Sequence, residues 1–235
     1  KVYDCFTYDG EACLVLRLRT HWSKVDWFVI VESNMTFSGL SKEISFDIKK
    51  YAWAKSKIRF IKVDKSKFKN CKTAWDREII QRNSLKLGYK DASDKDVIII
   101  SDVDEIPNLQ NKKFINFDST VFLQNMYYYK FNIHLYQGLK WKNKWPGTKS
   151  CKYKFFSSAQ NVRQFRVKNY PWWRFDRKIK RYIEFNGGWH FSFLMNIQKI
   201  SKKISINTQE LDHVLGSKNY NIKNYLTLLR RMSSK

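Results

Sequence analysis

The stretch Asp96-Val97-Ile98-Ile99-Ile100-Ser101-Asp102-Val103-Asp104-Glu105-Ile106-Pro107 joins a run of apolar, β-branched residues to an acidic cluster and a proline. A run of this composition is typical of a central parallel strand that is buried on both faces. In open α/β sheets, ligands bind beyond the carboxyl ends of such strands. The stretch therefore predicts a ligand site where the strand ends.

Asp102 and Asp104 are two residues apart, so their side chains emerge on the same side of an extended segment. Two carboxylates held together repel each other unless a cation lies between them. Carboxylates, waters and phosphate oxygens are the usual ligands of Mg²⁺ and Mn²⁺. The pair indicates a divalent metal site, and the alternative is a solvated acidic turn after a buried strand.

The whole chain has 235 residues, of which 43% are hydrophobic, and no linker-like tract, which favours one domain over residues 1–235. Its 45 Lys and Arg residues against 21 Asp and Glu residues give a formal net charge of +24. This charge predicts attraction to polyanions: nucleic acid, an anionic membrane or phosphorylated substrates. Because the lysines are scattered along the chain, a Lys-rich composition explains the charge equally well.

No stretch approaches the roughly eighteen apolar residues of a membrane span, and no signal peptide is visible at Lys1. We therefore expect no transmembrane segment in this chain and place any anchor outside it, which leaves the compartment open between cytoplasm and lumen. The cysteines form no Cys-x-x-Cys pair, so we expect reduced core residues rather than a zinc site. They are Cys5, Cys13, Cys71 and Cys151.

Strand-like and helical segments alternate over residues 1–105. The expected strands lie at 2–6, 27–31, 58–63 and 96–101. The expected helices lie at 11–22 and from an N-cap at Thr73 to Gly88. This alternation predicts a doubly wound parallel sheet. We expect the strands that end near Glu32 and Asp102 to be neighbours, with both acids at the carboxyl edge.

The sequence pattern changes after Pro107. Over residues 106–235 it predicts a mixed sheet followed by helices. The expected strands are aromatic segments at 121–131, 152–156 and 162–167, and a Lys-rich helix pair is expected at 198–232. Tryptophan rings stack on sugars or nucleobases, or fill cores. Trp172 and Trp173 are adjacent and so face different ways, which predicts that one of them is exposed for ligand binding.

Gly187-Gly188-Trp189-His190-Phe191-Ser192 presents one of only four histidines in the chain behind two permissive glycines. A histidine among aromatic residues often has a structural, hydrogen-bonded role. A neutral imidazole from this distant segment would also complete the shell of a metal at Asp102 and Asp104. The second hypothesis requires the two halves of the chain to fold onto each other.

Five motifs in chain order resemble those of glycosyltransferase family 17, the family of the β-1,4-mannosyl-glycoprotein N-acetylglucosaminyltransferases that add bisecting GlcNAc. The resemblance spans about residues 2–212. Its motifs are Glu32-Ser33-Asn34-Met35-Thr36-Phe37-Ser38-Gly39, Trp75-Asp76-Arg77-Glu78 with Gln81-Arg82, Ser101-Asp102-Val103-Asp104-Glu105-Ile106-Pro107, Trp145-Pro146-Gly147-Thr148 and Gly188-Trp189-His190-Phe191-Ser192.

The resemblance implies a GT-A type fold: a Rossmann-like parallel sheet in a nucleotide-sugar half, about residues 1–105, that continues into the mixed sheet and helices of an acceptor half, about residues 106–235. It also implies a UDP-sugar donor, UDP-GlcNAc by family precedent, a Mn²⁺ or Mg²⁺ cofactor and inverting transfer to a glycan or glycoprotein acceptor. Another UDP-sugar remains an alternative donor. The competing classes are a non-catalytic, basic nucleic-acid or glycan-binding protein and a metal-dependent phosphodiesterase or nucleotidyltransferase. Scattered charge argues against a specific nucleic-acid partner.

Within this scheme each candidate residue has an expected role. The metal ligands are Asp102, Asp104 and His190. The donor-binding residues are Glu32, Ser33, Arg77, Arg82 and Asp102, with the arginines on phosphate. Trp145, Trp172 and Trp173 are expected to bind the acceptor. Inversion needs one base on the acceptor hydroxyl, for which Glu105 and Glu210 are the candidates and Asp176 and Glu184 remain open.

Overall fold

A seven-stranded sheet and a smaller three-stranded sheet organise the protein in a computed structural model. The structure describes residues 1–128, 131–134, 144–167, 179–192 and 194. These residues fall within one compact unit, Lys1–Leu194. The expected extent of a single domain, 1–235, stays a prediction.

The strands are β1 (Val2–Thr7), β2 (Trp27–Ser33), β3 (Ile58–Val63), β4 (Val97–Asp102), β5 (Glu105–Pro107), β6 (Ser119–Phe122), β7 (Asn125–Tyr128), β8 (Lys149–Lys152), β9 (Arg181–Glu184) and β10 (Gly188–Ser192). The α-helices are α1 (Leu14–His21), α2 (Ala74–Asn83) and α3 (Ala159–Arg163). Short 3₁₀ helices lie at Ile48–Lys57, Lys65–Phe68, Ser84–Gly88, Lys112–Asn116 and Tyr153–Phe155. Within the described residues, no helix has the length and apolar character to cross a membrane.

The first four strands form the parallel half of the large sheet, in the order β3-β2-β1-β4. This confirms the parallel sheet predicted for residues 1–105. The expected neighbourhood of the strands ending at Glu32 and Asp102 is wrong, because β1 lies between β2 and β4. The chain adds β2 and β3 outward on one side of β1 and then returns to place β4 on the other side. Both acids nevertheless lie at the carboxyl edge.

Apolar side chains cover both faces of this parallel half. Phe6, Phe28 and Ile30 pack on one face with Leu14 and Leu18 of α1. The opposite face carries a second cluster with residues of the 84–88 helix and of α3. The four cysteines are free. Cys5, Cys13 and Cys151 are buried as expected, whereas Cys71 is only half-buried.

The second half of the chain extends the sheet and adds a smaller one. β8 runs antiparallel between β4 and β6, and β9 pairs parallel with β6. β10 pairs antiparallel with β5 and parallel with β7. Because β5 follows β4 directly, this second sheet joins the end of β4 to the Gly188–Ser192 strand.

Four sequence expectations need correction. The strand expected at 152–156 is wrong, because Tyr153–Phe155 form a 3₁₀ helix and the strand there, β8, ends at Lys152. The strand expected at 162–167 is wrong, because Ser158 accepts a hydrogen bond from the Asn161 amide and caps α3. The strand expected at 121–131 splits at residues 123–124 into β6 and β7, which belong to different sheets. The first helix begins at Leu14 rather than Glu11. The helix pair expected at 198–232 lies outside the described residues.

Candidate active site

The acidic loop, residues 102–105, begins at the carboxyl end of β4, beside the end of β1. Strands on either side of the β1–β4 boundary are connected in opposite directions, and α/β proteins bind ligands at such a switch point. Thr7, the last residue of β1, donates its hydroxyl to the Asp102 carboxylate at 3.1 Å. The acidic loop therefore lies where this kind of sheet places a ligand.

Arg17 of α1 holds the acidic loop through backbone oxygens of the loop. Its Nη1 donates to the backbone oxygens of Asp102 at 2.8 Å and Glu105 at 2.9 Å. Its Nη2 donates to the hydroxyl of Ser101 at 2.6 Å. The side chain is fully buried. One guanidinium thus fixes both ends of the loop.

Two further buried residues complete this support. Asp4 on β1 accepts hydrogen bonds from Arg17 and from His21 Nδ1, the latter at 2.8 Å. The other ring nitrogen of His21 faces the Pro107 carbonyl oxygen, also at 2.8 Å. Both contacts fix the ring between β1 and the end of β5. Burial by itself raises the pKa of Asp4, but Arg17 and His21 outweigh it and hold that pKa well below its usual value.

The Asp102 carboxylate is held by two arginines as well as by Thr7. Arg163 of α3 donates to it at 2.7 Å and Arg82 of α2 at 3.3 Å. Desolvation favours the neutral acid, but the charges of Arg163 and then Arg82 hold the pKa of Asp102 well below its usual value. Asp102 is therefore an anion whose charge is already compensated by the protein.

Glu105, one of the two candidate bases, is buried beneath the site. It accepts hydrogen bonds from both Nη atoms of Arg163, from Trp145 Nε1 at 2.6 Å and from the Asp102 amide at 3.2 Å. An added methyl group at Gly147 would overlap the Glu105 carboxylate and the Trp145 indole. Only glycine fits this position. In this geometry Glu105 fixes Arg163 and Trp145 through hydrogen bonds.

Asp104 and His190 meet although they come from distant parts of the chain. His190 Nε2 lies 3.7 Å from Asp104 Oδ2, and the Phe191 amide donates to the Asp104 carbonyl oxygen at 2.9 Å. The His190 ring packs on Trp145 with centroids 5.2 Å apart. Burial alone would lower the pKa of His190, but the Asp104 carboxylate raises it above its usual value. An added methyl group at Gly188 would overlap the Ile106 carbonyl oxygen, so the glycine is what allows this approach.

A divalent cation fits this pair in part. Within the described ranges, no cluster of three or more His, Cys, Asp or Glu side chains that could hold a metal is found. Asp104 and His190 supply one oxygen and one nitrogen donor, and His190 Nδ1 is buried without a hydrogen-bond partner. Mg²⁺ and Mn²⁺ in nucleotide enzymes commonly take one or two protein ligands and complete their shell with phosphate and water. Asp102 would have to exchange an arginine contact to join them.

The expected donor-binding residues near the end of β2 shape a loop. Glu32 is fully buried and accepts hydrogen bonds from Lys42 Nζ at 2.8 Å and from the amides of Ser45 and Phe46. Ser33 accepts the Met35 amide. These side chains fold residues 34–46 back over the sheet, and their polar atoms are used within the protein.

The remaining candidates divide between the site and its surroundings. Arg77 of α2 donates to the Phe37 carbonyl oxygen at 2.6 Å. Glu184 is buried and accepts hydrogen bonds from Asn111 and Tyr182, away from the acidic loop. Trp145 lies inside the site between Glu105 and His190. Trp172, Trp173, Asp176 and Glu210 lie outside the described residues.

Sequence reasoning missed four residues that shape the site. These are Asp4, Arg17, His21 and Arg163. A signal was present, since a charge inside the apolar first strand requires a buried partner. The sequence could not say which of many cations would supply it.

Comparison with known proteins returns one family. The sequence model described as glycosyltransferase family 17 matches residues 1–223. Neither a search of curated proteins nor one of solved structures returns a match. The match covers nearly the whole chain, including every element of the site. The chain therefore belongs to glycosyltransferase family 17.

Proposed function

We propose that this glycosyltransferase has a GT-A type fold and transfers GlcNAc from UDP-GlcNAc to a glycan or glycoprotein acceptor, with inversion and with Mn²⁺ or Mg²⁺ bound. Family membership supports glycosyl transfer. The parallel strand order with a switch point at the acidic loop supports nucleotide binding at that edge.

The pairing of Asp104 with His190 carries the proposal. A buried imidazole reaches a carboxylate beyond the end of a central strand, and it does so through two glycines that bring the backbones close. Glycosyl transfer leaves a nucleotide diphosphate whose new negative charge must be stabilised. An ion bound by Asp104 and His190 would supply that stabilisation.

The chain's own residues prepare this site. Arg17 fixes the backbone on which Asp104 stands. Arg82 and Arg163 place positive charge beside Asp102 in the acidic loop, where it would attract phosphate oxygens. The protein therefore offers fixed cations to an anionic leaving group before it arrives.

The base that deprotonates the acceptor hydroxyl remains a proposal with two candidates. Glu105 would first have to leave Arg163 and Trp145, which favours Glu210. Trp172 and Trp173 are proposed to bind the acceptor, and Trp145 contributes by fixing His190.

Release of UDP from a panel of UDP-sugars, with and without Mn²⁺ and in the presence of candidate glycans, tests the proposal. We expect release from UDP-GlcNAc that depends on the metal and rises with acceptor. Release from another UDP-sugar would keep the enzyme class and change the donor. Glycan or nucleic-acid binding without turnover of any sugar nucleotide would contradict the proposal.

A further inference from the structure

We propose that Trp75 is the stacking surface for the nucleobase of the sugar-nucleotide donor. This inference rests on the proposed function and adds to it a residue that contacts the donor. It follows from the placement of α2 beside the acidic loop.

Helix α2 lies along the carboxyl edge of the sheet. Near its C-terminal end, Arg82 reaches the Asp102 carboxylate. Near its N-terminal end, Arg77 reaches the Phe37 carbonyl oxygen in the loop that follows β2. The helix therefore spans from the end of β2 to the candidate diphosphate position.

Trp75 lies on the same face of α2 as Arg82. Seven residues are almost two full turns, so the two side chains point the same way with their Cα atoms about 10 Å apart along the axis. Glu78 lies between them on this face and pairs with Arg82. This separation is comparable to the distance from the diphosphate to the base ring in an extended nucleotide.

Side chains on this face of α2 become more exposed from Arg82 towards Trp75. The Arg82 side chain is 3% exposed beneath Gln160 and Asp102, Glu78 is 26% exposed, and Trp75 is 43% exposed. Neighbouring protein thus covers this face of the helix next to the acidic loop and leaves Trp75, in the first turn, exposed.

The Trp75 ring makes no aromatic or cation–π contact with another described residue, which distinguishes it from another exposed tryptophan. Trp53 is 40% exposed, but its ring packs against Trp22 at 5.5 Å and lies under the Arg19 guanidinium. No ring or cation contact to Trp75 is found in the part of the chain that the structure describes. An exposed indole that makes no such contact, beside a candidate phosphate site, is suited to stacking on a flat base.

Stacking explains what Trp75 can and cannot discriminate. Every base has a π-face, so stacking tolerates the identity of the base. Trp75 should therefore increase the affinity for UDP and for GDP by similar factors and leave the affinity for a bare diphosphate unchanged. Selection of uracil must come from other groups.

Calorimetric titration with UDP, GDP and inorganic pyrophosphate, each at the same Mn²⁺ concentration, tests the inference. A base–aromatic stack contributes roughly 1–3 kcal/mol, so Trp75→Ala should weaken UDP and GDP roughly 5- to 150-fold. Pyrophosphate affinity should be unchanged, and Trp75→Phe should recover part of the loss. The matched control is Trp53→Ala, which removes a similarly exposed indole outside the site and should bind all three ligands like the wild type.

Three results would overturn it. Unchanged UDP affinity in Trp75→Ala refutes the stacking role alone. Equal losses for UDP and pyrophosphate show that the variant damages the site rather than a base contact. A wild-type protein that binds neither UDP nor GDP refutes the proposed function itself, and the stacking role with it.

Discussion

Replacing Arg17 with lysine should loosen the acidic loop while keeping a positive charge opposite Asp4. The guanidinium serves Asp4, Ser101 and the carbonyl oxygens of Asp102 and Glu105 at the same time. An ammonium group has three donors on one atom and cannot reach from Asp4 to both carbonyl oxygens. The variant therefore separates the fork geometry of Arg17 from its charge.

The expected loss can be worked from these contacts. Each buried acceptor that loses its partner costs about 1–3 kcal/mol. Two carbonyl oxygens are affected, and the part-buried Asp102 oxygen can regain a water, so we expect a loss of about 2–4 kcal/mol in the free energy of unfolding. For a chain of this size that corresponds to a fall in Tm of about 5–15 °C. The variant should remain folded at low temperature.

Loss of stability alone would not establish a positioning role, so a matched control is needed. Leu18→Ala removes a fully buried neighbour on the same helix and should cost about 2–5 kcal/mol. Hydrogen exchange should show faster amide exchange at residues 102–106 in Arg17→Lys than in Leu18→Ala. Calorimetry with Mn²⁺ and UDP should show at least a tenfold weaker affinity in Arg17→Lys and near wild-type affinity in folded Leu18→Ala.

The reasoning would be refuted if the two variants lost UDP affinity in proportion to their loss of stability. It would also be refuted if Arg17→Lys bound Mn²⁺ and UDP like the wild type. Either result would show that Arg17 only neutralises the buried Asp4 carboxylate and does not position the acidic loop.

Two further variants test buried charges around the site. Glu32→Gln should lower the free energy of unfolding by about 2–4 kcal/mol, because a charged acceptor of three hydrogen bonds is lost, and calorimetry should show no change in the preference for UDP over GDP. Burial and the Arg163 charge lower the pKa of Lys149 to about 7. Between about pH 7 and 10, Lys149 therefore binds a proton in the unfolded chain but not in the folded one. Its contribution to the free energy of unfolding rises with pH across this window. Denaturant titrations should therefore show the advantage of Lys149→Met over the wild type shrinking across that window. A changed base preference in Glu32→Gln, or a pH-independent difference for Lys149→Met, would contradict these accounts.

The parallel half of the fold was accessible from sequence because its signals are local. The apolar run at Ile98–Ile100 and the Thr73 cap are both read within a few residues, and the structure has β4 and α2 there. The N-cap predicted at Thr73 is confirmed, and Asp76 completes a capping box with it. Strand order was not local, and the expected contact of β2 with β4 failed for that reason.

The second half of the chain was less accessible because its pairings are non-local. β8 has the polar sequence Lys-Ser-Cys-Lys, yet it lies between β4 and β6. Nothing in its own pattern indicates burial. The strand expected at 162–167 failed because apolar spacing in so short a segment does not distinguish a strand from a helical turn.

The site shows the same division. The Asp-x-Asp spacing and the Gly-Gly-Trp-His segment pointed to residues that the structure brings together at Asp104 and His190. Glu32 looked available because it ends a strand, but the following loop returns to cover it. Arg17 lies on the buried face of α1 beside Leu14 and Leu18, where a charged residue is not expected from the sequence pattern. Its partners lie on three strands, β1, β4 and β5, so only the assembled fold reveals its role.

The affinity for UDP with and without Mn²⁺ tests the central assignment most directly, measured for the wild type, Asp104→Ala, His190→Ala and the double variant. If both residues hold one ion on the diphosphate, Mn²⁺ should strengthen UDP binding to the wild type, and each single variant should lose that gain. The double variant should then be little worse than either single one, because both substitutions remove the same interaction. Wild-type-like, Mn²⁺-dependent UDP binding by either single variant would contradict the account.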